Sequence, residues 1–178
     1  MVLRKKGQVW IETAIYTLIG LTIIAILLTT AKPQIEKIKD KGILSQTRAA
    51  LLSLDNKIFE VEQAASTGRV VKFTVAKGKL EINAEDNLIQ YLLEDTRLEL
   101  TELNETIKEG DIYILTKQRG SRFDVYLTLN YTDRINMTFE GKKEKGILQA
   151  GTTPHIITIE NMGDNAIDAN THIDFSLL

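Results

Sequence analysis

The first third of the chain combines a long apolar run with a region of mixed polarity. From Thr13 to Ala31 there are 19 residues without a charge. As a helix rising about 1.5 Å per residue, this run spans roughly 28 Å, close to the thickness of a bilayer's hydrocarbon core. It is also longer than the apolar part of a secretory signal peptide, which is roughly 7–15 residues. The run therefore predicts a membrane-spanning helix, and Pro33 is expected to kink or interrupt it.

A second helical pattern follows the proline and a polar stretch that ends at Gly42. Residues of one face recur at spacings of three and four, and charged residues fall largely between them. The residues of this face are Leu44, Thr47, Leu51, Leu54, Ile58, Val61 and Ala65. The pattern predicts an amphipathic helix from about Ser45 to Ala65, ended by Ser66-Thr67-Gly68. Residues 33–68 are thus expected to form an amphipathic helical stem.

From Arg69 onward the apolar period changes to two, which is typical of strands. Hairpins are predicted around Ala76-Lys77-Gly78 and around Arg119-Gly120-Ser121. Further strands are expected over 88–93, 98–100, 135–139, 155–160 and 172–177, and a loop over 140–151. Because no later helix is available for parallel crossovers, the sheet should be mostly antiparallel. The predicted fold is α+β, in which the long N-terminal helix continues into the amphipathic helix. A mostly antiparallel sheet or sandwich, the head domain, follows over residues 69–178.

Charge is distributed unevenly along the chain. The formal net charge is -2, but Arg4, Lys5 and Lys6 come before any acidic residue. Without residues 1–7 the chain has 19 basic and 24 acidic residues, a net charge of -5. Such a chain is not expected to bind nucleic acid. Positive flanks stay in the cytoplasm, so the N-terminus is predicted to be cytoplasmic and the residues after Pro33 extracellular.

The basic cluster belongs to a longer motif. The segment Arg4-Lys5-Lys6-Gly7-Gln8-Val9-Trp10-Ile11-Glu12 resembles the class III signal peptide of archaeal pilins and archaellins. In that family a basic leader ends in Gly, the mature chain usually starts with Gln, Glu is its fifth residue, and a long apolar helix follows. All of these elements are present here. The departure is Trp10, where the family often has a small hydroxyl residue. The resemblance covers about the first 31 residues.

The resemblance implies a processing and assembly pathway. Residues 1–7 would be a leader recognised through Arg4, Lys5 and Lys6, and prepilin peptidase would cut between Gly7 and Gln8. Residues 8–32 would then form the helix that spans the membrane before assembly and lies in the filament core afterwards. An assembly platform and like pilin subunits would be the partners, and the product would be a cell-surface filament used for adhesion or surface contact.

Glu12 is the acidic residue at the membrane-side edge of the apolar run. An acid in that position is costly unless its charge is compensated, and it is a functional candidate for that reason. Cleavage would create a positive amine on Gln8, which opposes the helix macrodipole. Glu12 could neutralise that amine in its own chain or in a neighbouring subunit, which implies a role in assembly. The alternative is that Glu12 only lies at the headgroup level and favours the helix N-terminus.

The sequence offers little for catalysis. With no cysteine, thiolate zinc sites, iron–sulfur clusters, thiol catalysis and disulfides are excluded. His155 and His172 have no partner at metal-binding spacing, and there is no phosphate loop or nucleophile elbow. One oxygen-rich turn contains Asn161, Asp164, Asn165, Asp168 and Asn170. Its spacing does not fit an EF-hand, and a hairpin turn explains it better than calcium. The chain is therefore not expected to be an enzyme or to carry a cofactor or metal.

Three sequons, at Asn104, Asn130 and Asn136, suggest a glycoprotein. The predicted topology puts all three outside the cell, where N-glycans are attached. Asn130 is expected to be half-buried in a strand and is the least favourable acceptor of the three.

Two other functions remain open from the sequence. The chain could be an uncleaved single-pass membrane protein that presents an extracellular β-rich binding domain. It could also be secreted after cleavage behind Ala31, where Thr29 and Ala31 crudely match a small-residue signal peptidase site. The first residue of the mature protein separates the three cases: Gln8 for a pilin-like subunit, Met1 for the uncleaved protein and Lys32 for the secreted one.

Cleavage behind Gly7 is the first testable prediction. Replacing Gly7 with leucine should leave the full-length precursor, because a peptidase needs a small, flexible residue at the scissile bond. The measurement is the intact mass of the membrane-associated protein, with N-terminal sequencing of the wild-type chain. An unchanged mature mass in the variant would contradict the prediction.

Overall fold

The computed structural model describes residues 3–164 and 170–178, with side chains described over 9–163 and 170–178. It begins with a 60-residue helix, α1 (Leu3–Glu62). The chain divides into two compact units, Met1–Lys39 and Asp40–Leu178. They are called the N-terminal unit and the C-terminal unit below. The α+β class is confirmed, since the long helix precedes two mostly antiparallel sheets.

The predicted continuation of the apolar helix into the stem is confirmed, because α1 continues through Pro33. Of the two effects expected of this proline, the interruption is therefore wrong. A proline removes only one N–H donor from the helical ladder, and apolar helices tolerate that loss where nearby hydroxyls add local hydrogen bonds. The Oγ1 atoms of Thr29 and Thr30 donate to the carbonyl of Ile26 at 2.8 and 3.3 Å. The C-terminal end of α1 lies at Glu62, three residues before the predicted end.

Ten strands follow in the described residues: β1 (Gly68–Phe73), β2 (Lys79–Asn83), β3 (Leu88–Thr96), β4 (Thr106–Glu109), β5 (Ile112–Arg119), β6 (Arg122–Asn130), β7 (Ile135–Phe139), β8 (Lys145–Gln149), β9 (His155–Asp164) and β10 (Thr171–Leu177). One sheet has four strands in the order β1-β9-β10-β7, and the other has six in the order β4-β5-β6-β3-β2-β8. Neighbouring strands are antiparallel except β10 and β7. That parallel pair is reached through β8 and β9, so it needs no crossover helix.

The predicted apolar face of the stem forms part of one core with both sheets. Six of its seven residues are buried: Leu44, Thr47, Leu51, Leu54, Ile58 and Val61. Ala65 is exposed because the helix has already ended. Strand residues such as Tyr91, Leu127 and Phe175 complete the same cluster. Each fully buried aliphatic side chain contributes about 1.5–3 kcal/mol, so this face ties the second half of α1 into the C-terminal unit.

The two predicted hairpins have different outcomes. The one at Arg119-Gly120-Ser121 is confirmed, since β5 and β6 pair up to Arg119 and Arg122 across the turn. The one at Ala76-Lys77-Gly78 is wrong, because β1 pairs with β9 while β2 pairs with β3 and β8. A turn signal specifies a change of direction, and these neighbouring strands leave the turn into different sheets.

Three short segments also differ from expectation. The predicted strand at 98–100 is irregular, and β4 lies a few residues later. The expected loop at 140–151 contains β8, whose two inward positions are Gly146 and Leu148. A glycine weakens the alternating apolar signal. Here the glycine leaves room for a ring, because a Cβ at Gly146 would lie 2.2 Å from the ring of Phe139.

Gly78 provides a test of the turn between β1 and β2. Its φ is +79°, and a Cβ would lie 2.1 Å from the carbonyl oxygen of Leu92. Gly110 is a matched control, since its φ is +64° and nothing lies within 4 Å of its Cβ position. Gly110→Ala should cost about 1–2 kcal/mol for the left-handed backbone. Gly78→Ala should cost roughly 1–3 kcal/mol more because of the backbone clash.

The measurement is urea unfolding of a fragment containing residues 40–178, followed by circular dichroism. The fragment should itself fold as a monomeric α+β protein, because its helix face and sheets share one core. Equal losses in the two variants would show that the turn relaxes away from Leu92.

Candidate assembly helix and its anchors

The N-terminal unit exposes most of its apolar side chains. Those more than 60% exposed include Trp10, Ile11, Tyr16, Leu18 and Leu28. Within the described residues, it contains the helical segment that is long and apolar enough to cross a membrane. No residue in the 18-residue apolar window of that segment is buried. Apolar surfaces of this extent mark contact with lipid or with other proteins. The helix is therefore compatible with membrane insertion.

The hydroxyl groups of the threonines in this helix donate hydrogen bonds to backbone carbonyls of the same helix. The Oγ1 atoms of Thr13, Thr17 and Thr22 donate to the backbone carbonyls four residues earlier, at 2.7–2.8 Å. Polar side chains that bond back to their own helix carry little cost in an apolar environment. The uncharged stretch can therefore lie in lipid or against other helices without leaving these hydroxyls unbonded.

The predicted cleavage and assembly residues lie on this helix. The backbone of Arg4, Lys5, Lys6, Gly7 and Gln8 belongs to α1, and their side chains lie outside the described part. Glu12 is exposed, one turn after Gln8, so positions 8 and 12 share a helix face. The helix begins before Gly7, so the backbone conformation does not change at the predicted cleavage point. Cleavage and the role of Glu12 stay predictions.

Asp40 anchors the start of the stem in the C-terminal unit. Its side chain is buried, receives a hydrogen bond from Lys77 Nζ at 2.7 Å and another from Thr96 Oγ1 at 2.7 Å. A buried carboxylate is tolerated only when it is paired and hydrogen-bonded in this way. The predicted face begins at Leu44, although Asp40 lies one turn earlier on the same face.

A second anchor lies near the end of α1. Tyr131 Oη donates to Asp55 Oδ1 at 2.8 Å, and Arg134 Nε donates to Glu62 Oε2 at 2.7 Å. The Arg134 guanidinium also lies 5.4 Å from the ring centroid of Phe59 and 3.7 Å from Asp55. Residues 55, 59 and 62 share one helix face, which the residues after β6 cover. Spacing within the helix could have indicated this face, but it could not have identified Tyr131 and Arg134 as its partners.

The pKa values of two tyrosines next to these anchors, Tyr91 and Tyr131, are strongly raised. The pKa of Tyr91 is raised to about 12, mainly by burial, with a hydrogen bond to Thr47 that lowers it and the charge of Asp40 that adds to the rise. Burial also raises the pKa of Tyr131 well above its usual value, and the adjacent Asp55 adds to this effect. Both hydroxyls are therefore held neutral, as hydrogen-bond donors to Lys77 O and to Asp55.

Asn161 closes the C-terminus of α1. Its Nδ2 donates to the carbonyl of Val61 at 2.9 Å and also reaches those of Glu62 and Ala64. The last carbonyls of a helix lack intrahelical partners, so a buried amide there replaces water. Asn161 is thus a helix cap in β9 rather than part of an oxygen-rich turn. Asn165 and Asp168 of that turn lie outside the described residues.

The histidines make local hydrogen bonds. His172 Nε2 lies 2.9 Å from Thr138 Oγ1, and His155 Nε2 lies 2.8 Å from the carbonyl oxygen of Gln149. Among the described residues, no group of three or more His, Asp or Glu side chains is placed to hold a metal ion.

The three sequons differ in accessibility. Asn104 is exposed in the segment before β4, and Asn130 is exposed at the end of β6, so the expectation of a half-buried Asn130 is wrong. Asn136 is half-buried within β7, and the Thr138 of its sequon is buried. The structure therefore favours Asn104 and Asn130 over Asn136 as glycan acceptors.

No protein-family model, curated protein or solved structure matches this chain.

The two anchor tyrosines predict a loss of stability at alkaline pH. Above pH 10 an unfolded tyrosine loses its proton while the folded one keeps it, so deprotonation favours unfolding. The contribution of these tyrosines to the free energy of unfolding of residues 40–178 should therefore be fully present below pH 10, and the free energy of unfolding should fall as the pH rises from 10 to about 12. Tyr91→Phe and Tyr131→Phe should each make this fall shallower, as measured by urea unfolding at stepped pH. Slopes identical to wild type would contradict the assignment.

Proposed function

We propose that this chain is a structural subunit of an archaeal type IV pilus-like surface filament. The observation that carries the proposal is an uncharged helix, exposed along its whole apolar window, that directly follows the basic leader, Gly7, Gln8 and Glu12. A C-terminal unit with its own core supports it, because such a unit can be displayed outside the membrane.

The apolar helix is suited to two environments. In a membrane its side chains contact lipid, and in a filament they contact helices of other subunits. Lipid tails are as apolar as these side chains, so little hydrophobic free energy separates the two states. Polar pairing can then decide between them. The internally bonded threonines are compatible with both.

Glu12 is the residue proposed to make that decision. On insertion scales an acid at the centre of a membrane helix costs roughly 2.5–3.5 kcal/mol. The cost is smaller at the membrane-side edge, where Glu12 lies. An ion pair with the Gln8 amine of an adjacent subunit would offset it and would set the axial register between neighbours.

The pathway follows from these parts. Before assembly the chain lies in the cell membrane with a cytoplasmic N-terminus and an extracellular C-terminal domain. Prepilin peptidase removes residues 1–7, and an assembly platform transfers the mature helix into a growing filament. The exposed surface of the C-terminal unit, with any glycans at Asn104 and Asn130, then faces the surroundings and makes surface contacts.

Glu12 gives the test of the proposal. In cells that carry this chain as their sole subunit, Glu12→Val and Glu12→Gln should lower the number of filaments seen by electron microscopy. Membrane insertion and cleavage, followed by fractionation and mass, should remain near wild type. Thr13→Val is the matched control, because it changes an adjacent exposed side chain without removing a charge.

Normal filaments from Glu12→Val would mean that Glu12 is only a headgroup-level residue. A wild-type chain that keeps Met1 and forms no filament would overturn the filament proposal and favour an uncleaved membrane protein with an external binding domain.

A further inference from the structure

The C-terminal unit has an open apolar groove beside its part of α1. Its volume is about 290 Å³, and the buried side chains of Leu44, Ile114 and Leu127 are among its lining residues. Leu100 and Ile107 also line it, and they are 40% and 39% exposed. A ligand that covers these two side chains would bury apolar area that the fold leaves in contact with water.

One side of the groove is a row of polar residues on α1. Lys41, Ser45 and Arg48 follow one another at spacings of four and three, so they lie on one face of the helix, and all three line the groove. Glu109 also lines it and forms an ion pair with Arg48 at 2.6 Å. Lys41 is exposed and forms no ion pair with any other described residue. The charges that line the groove are thus two cations and one carboxylate, and the uncompensated one is the ammonium of Lys41.

This positive charge differs in sign from the rest of the unit. Residues 40–178 contain 16 basic and 22 acidic residues. Glu99, Glu102 and Glu105 lie in the segment that contains Leu100, but they are not among the residues that line the groove. A ligand inside the groove therefore meets the ammonium of Lys41 and the hydroxyl of Ser45, and both groups can donate hydrogen bonds to an anionic oxygen.

The volume of the groove limits the size of its occupant. Ligand pockets in proteins are roughly 300–1,000 Å³, so a groove of about 290 Å³ is at the small end of this range. It has room for one apolar chain of about eight to ten carbon atoms. A helix with its side chains, about 10–12 Å across, is too wide to enter it.

We propose that the groove binds a small amphiphile that has a carboxylate head group and one apolar chain. The carboxylate accepts hydrogen bonds from Lys41 Nζ and Ser45 Oγ, and the chain packs along Leu44, Leu100 and Ile107. Each buried methylene strengthens binding about fourfold, because it removes apolar surface from water. The site does not depend on the filament function, because all of its residues belong to the C-terminal unit.

Photolabelling of the full-length chain in membranes tests this site. The probe is decanoic acid with a diazirine at the end of its chain, and labelled peptides are identified by mass spectrometry after digestion with trypsin. Two tryptic peptides report on the groove, because residues 42–48 contain Leu44 and Ser45, and residues 98–108 contain Leu100 and Ile107. Label on residues 13–31, which the probe reaches through lipid, is the internal reference. Both groove peptides should be labelled.

Competitors test the two parts of the ligand separately. An excess of unlabelled decanoate should remove the label from both groove peptides. Butyrate, which lacks most of the chain, and decyltrimethylammonium, which has a positive head group, should leave the label in place. Equal competition by decanoate and decyltrimethylammonium would show that the carboxylate is not recognised and would overturn the proposal.

Two pairs of variants test the residues. Lys41→Glu should lower the label on residues 98–108 about tenfold relative to the reference, because a carboxylate would then face a carboxylate. Lys72→Glu, an exposed change on β1 outside the groove, is the charge-matched control and should not lower it. Leu100→Asp should lower the label on residues 42–48, whereas Leu103→Asp should not, because Leu103 is 41% exposed but does not line the groove.

The outcomes separate this site from the proposed function. Label confined to residues 13–31, or label that falls equally in Lys41→Glu and Lys72→Glu, would overturn the site. Label on the groove peptides that decanoate does not remove would also overturn it and leave the groove to an apolar peptide. A chain that shows the expected labelling but forms no filament would overturn the filament function and support the site.

Discussion

The structure depends on an apolar helix that the described fold leaves uncovered. The N-terminal unit has an uncharged stretch of 19 residues, and none of its apolar window is buried. In water such a surface is unfavourable by about 25 cal/mol for each Å² of exposed apolar area. It is therefore compatible with lipid or with contact to other helices, whereas the C-terminal unit has a core of its own. The two units thus differ in how far their apolar side chains are covered, although α1 contributes to both.

The second half of that helix is held by polar contacts as well as by its apolar face. Asp40, Asp55 and Glu62 each bind a residue from the strand region. Apolar packing is tolerant of small rotations, but a buried or half-buried carboxylate requires particular donors at particular positions. These contacts determine the rotation of the helix about its axis and its position along that axis relative to the sheets. Without disulfides, noncovalent contacts of this kind hold the unit together.

The position of the anchored helix also determines which side chains are exposed beside it. Leu44 and Arg48 belong to the anchored half of α1, and they line an open groove of about 290 Å³ together with Leu100 and residues of β4, β5 and β6. The irregular segment before β4 places alternating leucines and glutamates at the surface next to that groove. Because this half of α1 is anchored to the strand region, helix and strand residues line one groove.

The sequence by itself determined the features that depend on local pattern. The apolar run, the buried face from Leu44 to Val61 and the hairpin at Gly120 follow from helix period, strand period and turn chemistry, which act between near neighbours. The motif at Gly7, Gln8 and Glu12 is likewise contained in adjacent residues.

Only the tertiary structure decided which distant segments meet. It separated β1 from β2 into different sheets, placed β8 in a predicted loop and joined Tyr131 to Asp55 and Asn161 to the helix end. These pairings depend on long-range strand order and on the donors that a fold brings to a buried charge. Residue spacing along the chain carries no information about either, because the partners are 76 and 100 residues apart.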